Sequence, residues 1–208
     1  MQAITNIKHL TVQTLPPILV LTGEDVGQFE WLKKDILKKI GYDPSDLNYS
    51  YFDMKEASYA EVELDLVSLP FFADEKIVIL DHLLDLTTAK KRYLTDEDLK
   101  QFENYLENPS ESTHLLIFAE GKLDSKRRLV KLLKRDAQII EAATPKEQEV
   151  KRYFASQAQE LGLQFVGDSL EQLLMKSGYD FGELQKIHFI VHISCTTEMS
   201  QTQNPLTP

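Results

Sequence analysis

Three continuous apolar runs constrain the fold of this chain most: Ile18-Leu19-Val20-Leu21, Ile77-Val78-Ile79-Leu80 and Leu115-Leu116-Ile117-Phe118. A strand that alternated apolar and polar residues would have one wet face, whereas a continuous run reads as a strand buried on both faces. Amphipathic helical stretches stand between these runs. The first reads from Asp25 to Ile40, with Phe29, Leu32, Ile36, Leu37 and Ile40 inward and Gly41 as its stop. Leu47–Phe52 reads as a second strand, Ser58–Leu69 as a helix, Thr95–Leu106 as a capped helix, Asp124–Arg135 as an amphipathic helix and Ala137–Glu141 as a fifth strand. Strands alternating with helices predict an α/β fold, a parallel doubly wound sheet with helices on both faces.

The pattern changes at Thr144. Thr144-Pro145-Lys146-Glu147 has the residue types of a helix start, and only helices follow, from Pro145 to Leu161, from Asp168 to Ser177 and from Asp180. Three regions are therefore expected: residues 1–143 as the sheet domain, 144–186 as a small all-α lid, and 187–208 as an irregular tail, without a helical stripe over Ile187–Ile193 and polar from Ser194 to Pro208.

Composition removes several classes of function. A net charge of −10 over 208 residues argues against a surface that grips nucleic acid throughout. The single cysteine, Cys195, rules out an internal disulfide and a thiolate zinc site. Met1–Leu15 lacks the basic flank and apolar run of a secretory signal, and no run is long enough to span a bilayer, so the cytoplasm is the expected compartment and no membrane partner is expected.

In a sheet of this kind ligands bind beyond the carboxyl ends of the strands. The first such turn is Gly23-Glu24-Asp25-Val26-Gly27-Gln28-Phe29. A phosphate loop needs Gly-x4-Gly-Lys-Ser/Thr; here the glycine spacing is one short, no lysine follows, and two acids would repel a triphosphate. It reads as a tight turn capped by Asp25. Asp81, at the end of the third strand, stands where a magnesium-binding acid would, but without the lysine or a second acid it reads as a strand-end residue. Asp180-Phe181-Gly182 reads as a helix cap because the other kinase motifs are missing. His9, His82, His114, His188 and His192 lack metal-ligand spacing except for the last two, in the tail, so no metal and no cofactor is expected. No nucleophile motif is present, and no catalytic residue is assigned.

Two surface features remain. Leu69-Pro70-Phe71-Phe72 follows a helical stripe of Tyr59, Val62, Leu66 and Leu69, with Ala73-Asp74-Glu75-Lys76 as a polar run before the next strand. Proline disfavours helix in the residue before it, so the stripe should end at Leu69 and the two phenylalanines sit on the connection. Left wet, each forgoes roughly 1.5–3 kcal/mol. Either they fold back into the core or they enter a partner. The second feature is the basic group Lys122, Lys126, Arg127, Arg128, Lys131, Lys134 and Arg135. It reads first as a solvated helix face; otherwise it is a patch for a phosphate backbone or acidic partner, with Lys126, Arg127 and Lys131 as the candidate contacts.

Taken in order, these residues resemble the delta subunit of the bacterial DNA polymerase III clamp loader, an AAA+-like family. The resemblance runs from Ile18 to Lys186. It rests on Leu19–Asp25 in place of a phosphate loop, on Ser68–Asp74, on Lys122–Arg128 and on Asp180–Leu184. It implies a degenerate RecA/AAA+-like domain followed by a helical lid, in a subunit of a DNA-directed DNA polymerase holoenzyme that has no catalysis of its own and does not hydrolyse ATP. Its implied partners are the sliding clamp (the beta subunit), whose ring it opens or holds open, other clamp-loader subunits, and primed DNA within the complex. The clamp-binding wedge of the family maps onto Phe71 and Phe72, with Leu69 in support. The family continues into a helical collar that assembles the ring, and residues 187–208 depart from the pattern, as a truncated or frame-shifted product would. That departure bears on ring assembly and not on clamp binding. Two other functions fit the residues: a P-loop ATPase with an unusual loop, and a scaffold unrelated to replication.

Overall fold

The computed structural model describes residues 1–71, 73–163, 165 and 167–187. The chain divides into two compact units, Gln2–Thr144 and the residues from Pro145 onward with Met1.

The first unit is built on β1 (Ile18–Gly23), β2 (Tyr49–Asp53), β3 (Lys76–Asp81), β4 (Thr113–Glu120) and β5 (Gln138–Glu141). They form one sheet in the order β2-β3-β4-β1-β5, every neighbouring pair parallel. Every residue of β1 and β3 is buried, as the continuous apolar runs require. Period-two alternation divides their side chains between two cores. Ile18, Val20, Val78, Leu80, Leu115 and Ile117 face one way, against α3 (Tyr59–Val67), α4 (Asp96–Glu107) and α5 (Arg128–Asp136). Leu19, Leu21, Ile77, Ile79, Leu116 and Phe118 face the other way, against α1 (Gln2–Asn6) and α2 (Val26–Lys39). Helices therefore cover both faces.

Helix starts follow their caps. Asp25 Oδ1 accepts from the Gln28 amide at 2.8 Å, and Thr95 and Asp98 close a reciprocal box at 3.2 and 2.9 Å. Three expected boundaries move. α3 ends at Val67 and not at Leu69, because Ser68 is already extended at φ −72°, ψ 152°. α5 begins at Arg128 and not at Asp124, whose carboxylate instead turns the chain by accepting from the Lys126 amide at 3.1 Å. The helix expected from Pro145, α6 (Glu147–Glu160), starts two residues later, where Glu149 reaches back to the Lys146 amide at 2.9 Å.

In the second unit α6 and α7 (Ser169–Lys176) are followed by helical residues 181–187. Val150, Phe154, Ala158, Leu174, Phe181 and Leu184 are buried there, with the Phe154 and Phe181 rings 5.8 Å apart. Asp180 caps the last helix by accepting from the Glu183 amide at 2.8 Å. Residues 188–208, with His188 and His192, lie outside the described residues.

Candidate functional site

The connection from α3 to β3 carries the two most exposed large apolar side chains among the described residues, Leu69 and Phe71. Tyr59, Val62 and Leu66 bury the inner stripe of α3. Leu69, expected to extend that stripe, is 76% exposed, and Phe71 is 83% exposed. The cause is the early end of the helix: once Ser68 leaves helical geometry, Leu69 no longer lies over Leu66. Phe72 lies outside the described residues. Beside this tip a groove of about 400 Å³ is lined by Leu47, Tyr49, Leu69, Pro70 and Phe71, with Asp65 and Lys76 also on its wall.

The stems of the connection are held by polar contacts. Lys76, where the polar run meets the expected strand, is the first residue of β3 and is buried. Its ammonium donates to the Asp65 carbonyl, to Asp65 Oδ1 at 3.2 Å and to Ser68 Oγ at 2.7 Å. Glu75, next to it, meets His114 Nε2 at 3.1 Å, while His114 Nδ1 meets the Pro16 carbonyl at 3.0 Å.

At the nucleotide position the turn after β1 is closed by its own chain. The Gly23 amide donates to the Gly121 carbonyl at 3.0 Å, the Asp25 amide to the Ala142 carbonyl at 3.1 Å, and the Gln28 amide to Asp25. Gly23 has φ +140°, and a Cβ there would come within 2.2 Å of the Ala142 carbonyl oxygen. Three amides of the turn, those of Gly23, Asp25 and Gln28, are thus engaged by internal acceptors.

Asp81 is indeed at the end of β3, and it is buried. Its carboxylate pairs with Lys33 of α2, accepts from the Tyr51 hydroxyl and takes the His82 amide at 2.9 Å. His82 has φ +57° and brings Nδ1 to 3.0 Å from Asp53. Burial, and then the bond to Asp81, push the Tyr51 phenol well above its ordinary range. Among the described residues no group of three or more His, Cys, Asp or Glu could hold a metal ion.

The basic group is largely engaged. Arg127 donates to the Asp85 carbonyl at 2.6 Å and meets Asp124 at 3.3 Å; Arg128 pairs with Glu103 and Glu107 of α4; Arg135 pairs with Asp136. Lys126 and Lys131 are exposed.

A family model described as DNA polymerase III, delta subunit, matches residues 19–143. This chain belongs to that family. The DNA polymerase III subunit delta of Bacillus subtilis is 26% identical over 137 residues, which cover 65% of this chain and 40% of that protein. The solved Bacillus subtilis DNA clamp loader delta protein superposes with a TM-score of 0.65 at 23% identity, covering 91% of this chain and 57% of the other. The chain thus spans less than half the length of the curated delta subunit it matches. In this delta-family chain no helix among the described residues is long and apolar enough to cross a membrane.

Sequence reasoning missed Lys33 and Asp85, and it placed Lys76 at the start of the third strand without its buried contact. The buried Asp85 carboxylate accepts from the Tyr93 and Leu94 amides at 3.0 and 3.4 Å. Lys76 was legible in one respect, since it opens an apolar run of four residues with no polar partner beside it in β3.

Proposed function

We propose that this delta-family chain binds a sliding clamp through Leu69, Phe71 and Phe72 and opens or holds open its ring for loading on primed DNA. The observation that carries this reading is the tip itself: Leu69 at 76% and Phe71 at 83% exposure, projecting from a connection whose stems, the half-buried Ser68 and the buried Lys76, are hydrogen-bonded to each other. Large apolar side chains held at the surface fit a pocket on a partner, and such contacts concentrate binding energy in a few residues. The reading assigns the clamp contact to residues 1–143, the lid to 144–186, and no family role to 187–208.

The chain acts without binding or hydrolysing ATP. Supporting this, the Gly23 and Asp25 amides of the first strand-to-helix turn are spent on Gly121 and Ala142, and Asp81 is spent on Lys33 and Tyr51. With no catalysis of its own, it works by presenting surfaces to the clamp and to other clamp-loader subunits. Lys126 and Lys131 are the basic side chains open to DNA or an acidic partner, whereas Arg127 serves the Asp85 turn.

The test is a titration of the chain against a bacterial sliding clamp. Phe71→Ala/Phe72→Ala folds normally and loses at least about thirtyfold in affinity, the size expected of a hot-spot pair. Wild-type affinity in that double variant refutes the wedge.

A further inference from the structure

We propose that Lys76 is the positioning residue of the wedge, the side chain that fixes where residues 69–75 project; as a statement about clamp binding it rests on the proposed contact of Leu69, Phe71 and Phe72 with the clamp. The loop leaves α3 at Ser68, the residue after its end, and re-enters the sheet at Lys76, so these two residues are the ends of the connection. One ammonium joins them. Lys76 Nζ has three N–H donors, and three acceptors face it: the Asp65 carbonyl, Asp65 Oδ1 at 3.2 Å and Ser68 Oγ at 2.7 Å. Ser68 Oγ in turn donates to the Asp65 carbonyl at 3.0 Å.

The location gives this cluster its effect. Asp65 lies in the last turn of α3, where its carbonyl takes only a long backbone bond from the Ser68 amide, 3.3 Å and shared with Leu64, and where a cation is favoured by the helix dipole. Lys76 Nζ therefore satisfies that helix end and anchors the first residue of β3 in the same contact. Its side chain is 7% exposed, so the charge has little water to fall back on. A buried, fully hydrogen-bonded ammonium tolerates few alternative arrangements, which is the circumstance in which a polar contact specifies geometry more than it adds stability. A second tie, Glu75 to His114 at 3.1 Å, holds the returning strand on its other side. With both stems fixed, Leu69 and Phe71 stay at the surface instead of collapsing onto the groove beside them, whose lining they already contribute to. The gain for a partner is pre-organisation: the ordering cost of the loop is met in the free chain.

The experiment compares the full chain with Lys76→Met, Ser68→Ala, Phe71→Ala/Phe72→Ala and Ile36→Val, reading clamp affinity, melting temperature and amide hydrogen exchange. Lys76→Met weakens clamp binding at least tenfold, and the amides of residues 68 and 76 at the two ends of the loop, which donate to the Leu64 and Asp65 carbonyls and to the Ser112 carbonyl, exchange at least tenfold faster while those of β1 stay protected. Ser68→Ala, which removes one acceptor, gives a change of the same sign and smaller size. It decides the matter should the methionine variant not fold. Ile36→Val, a change in the opposite core, lowers the melting temperature without weakening the clamp contact, so a general loss of stability is distinguished from a loss of position. Wild-type loop exchange in Lys76→Met, or in Ser68→Ala where that variant must stand in, overturns the inference. So does an affinity loss no larger than that of Ile36→Val at equal destabilisation. If the double alanine variant keeps full affinity, the clamp reading fails and the exchange measurement alone decides whether Lys76 positions the loop.

Discussion

Leu66 and Leu69 are the same side chain three positions apart, and one is fully buried while the other is 76% exposed. Helical spacing puts them on one stripe; the chain separates them because Ser68 leaves the helix first. The two residues therefore serve opposite ends. Leu66→Ala opens a cavity beneath α3 and costs about 2–5 kcal/mol in urea unfolding. Leu69→Ala removes no buried area and changes stability by no more than about 0.5 kcal/mol, yet it weakens clamp binding. If Leu69→Ala destabilises the fold as much as Leu66→Ala, the residue is a core residue and its place in the wedge is lost. The same contrast between neighbours holds for Glu75 and Lys76, which are adjacent in a polar run while only the lysine is buried. Burial at this scale is set by what stands opposite in space, and the run of letters carries no trace of Asp65 and Ser68 closing on the lysine.

Between elements, the contact that matters most at the carboxyl edge of the sheet is Lys33 of α2 with Asp81 of β3, joined by Tyr51 of β2. It ties one helix to two strands where a nucleoside triphosphatase would hold magnesium. The lysine and aspartate side chains are 13% and 3% exposed, so removing one partner strands a buried charge. Lys33→Met is expected to cost about 3 kcal/mol in chemical unfolding, and Lys33→Met/Asp81→Asn to recover most of it. A cost within error of zero in the single variant would show that water reaches Asp81 after all. Elements of this kind were legible in unequal degree. The buried strands announced themselves, because burial on both faces leaves no room for polar letters, and caps such as Asp25 and Thr95 act over three residues and stay local. Ends governed by distant partners were not legible: α3 is closed by Lys76 eleven residues beyond Asp65, and the turn before α5 is held by Arg127 on the carbonyl of Asp85. The nucleotide position lay between these cases. Its missing lysine was visible at once, but the carbonyls of Gly121 and Ala142 that occupy its amides come from the ends of β4 and β5, brought there by sheet order alone.

For the molecule as a whole, a five-stranded parallel sheet carries helices on both faces while its first strand-to-helix turn is closed by its own backbone. Opening it would mean breaking the hydrogen bonds of Gly23 and Asp25 to their carbonyl partners, and the Gly23 backbone is packed against Ala142 so closely that not even a methyl group fits. Glu24 and Asp25 add charge of the wrong sign at the same place, in a chain of net charge −10. These effects act together, so ATP is expected to leave thermal unfolding of the chain unchanged. The measurement has a definite scale. A ligand present at a hundred times its dissociation constant stabilises by about 2.7 kcal/mol, and at this size each kcal/mol raises the midpoint by about 2–4 °C. Magnesium ATP at millimolar concentration would thus move the midpoint by several degrees if it bound with micromolar affinity, and the expected shift is none. A shift of that size would show that the turn opens to admit a nucleotide, and the reading of the chain as a subunit that works by its surfaces alone would fail.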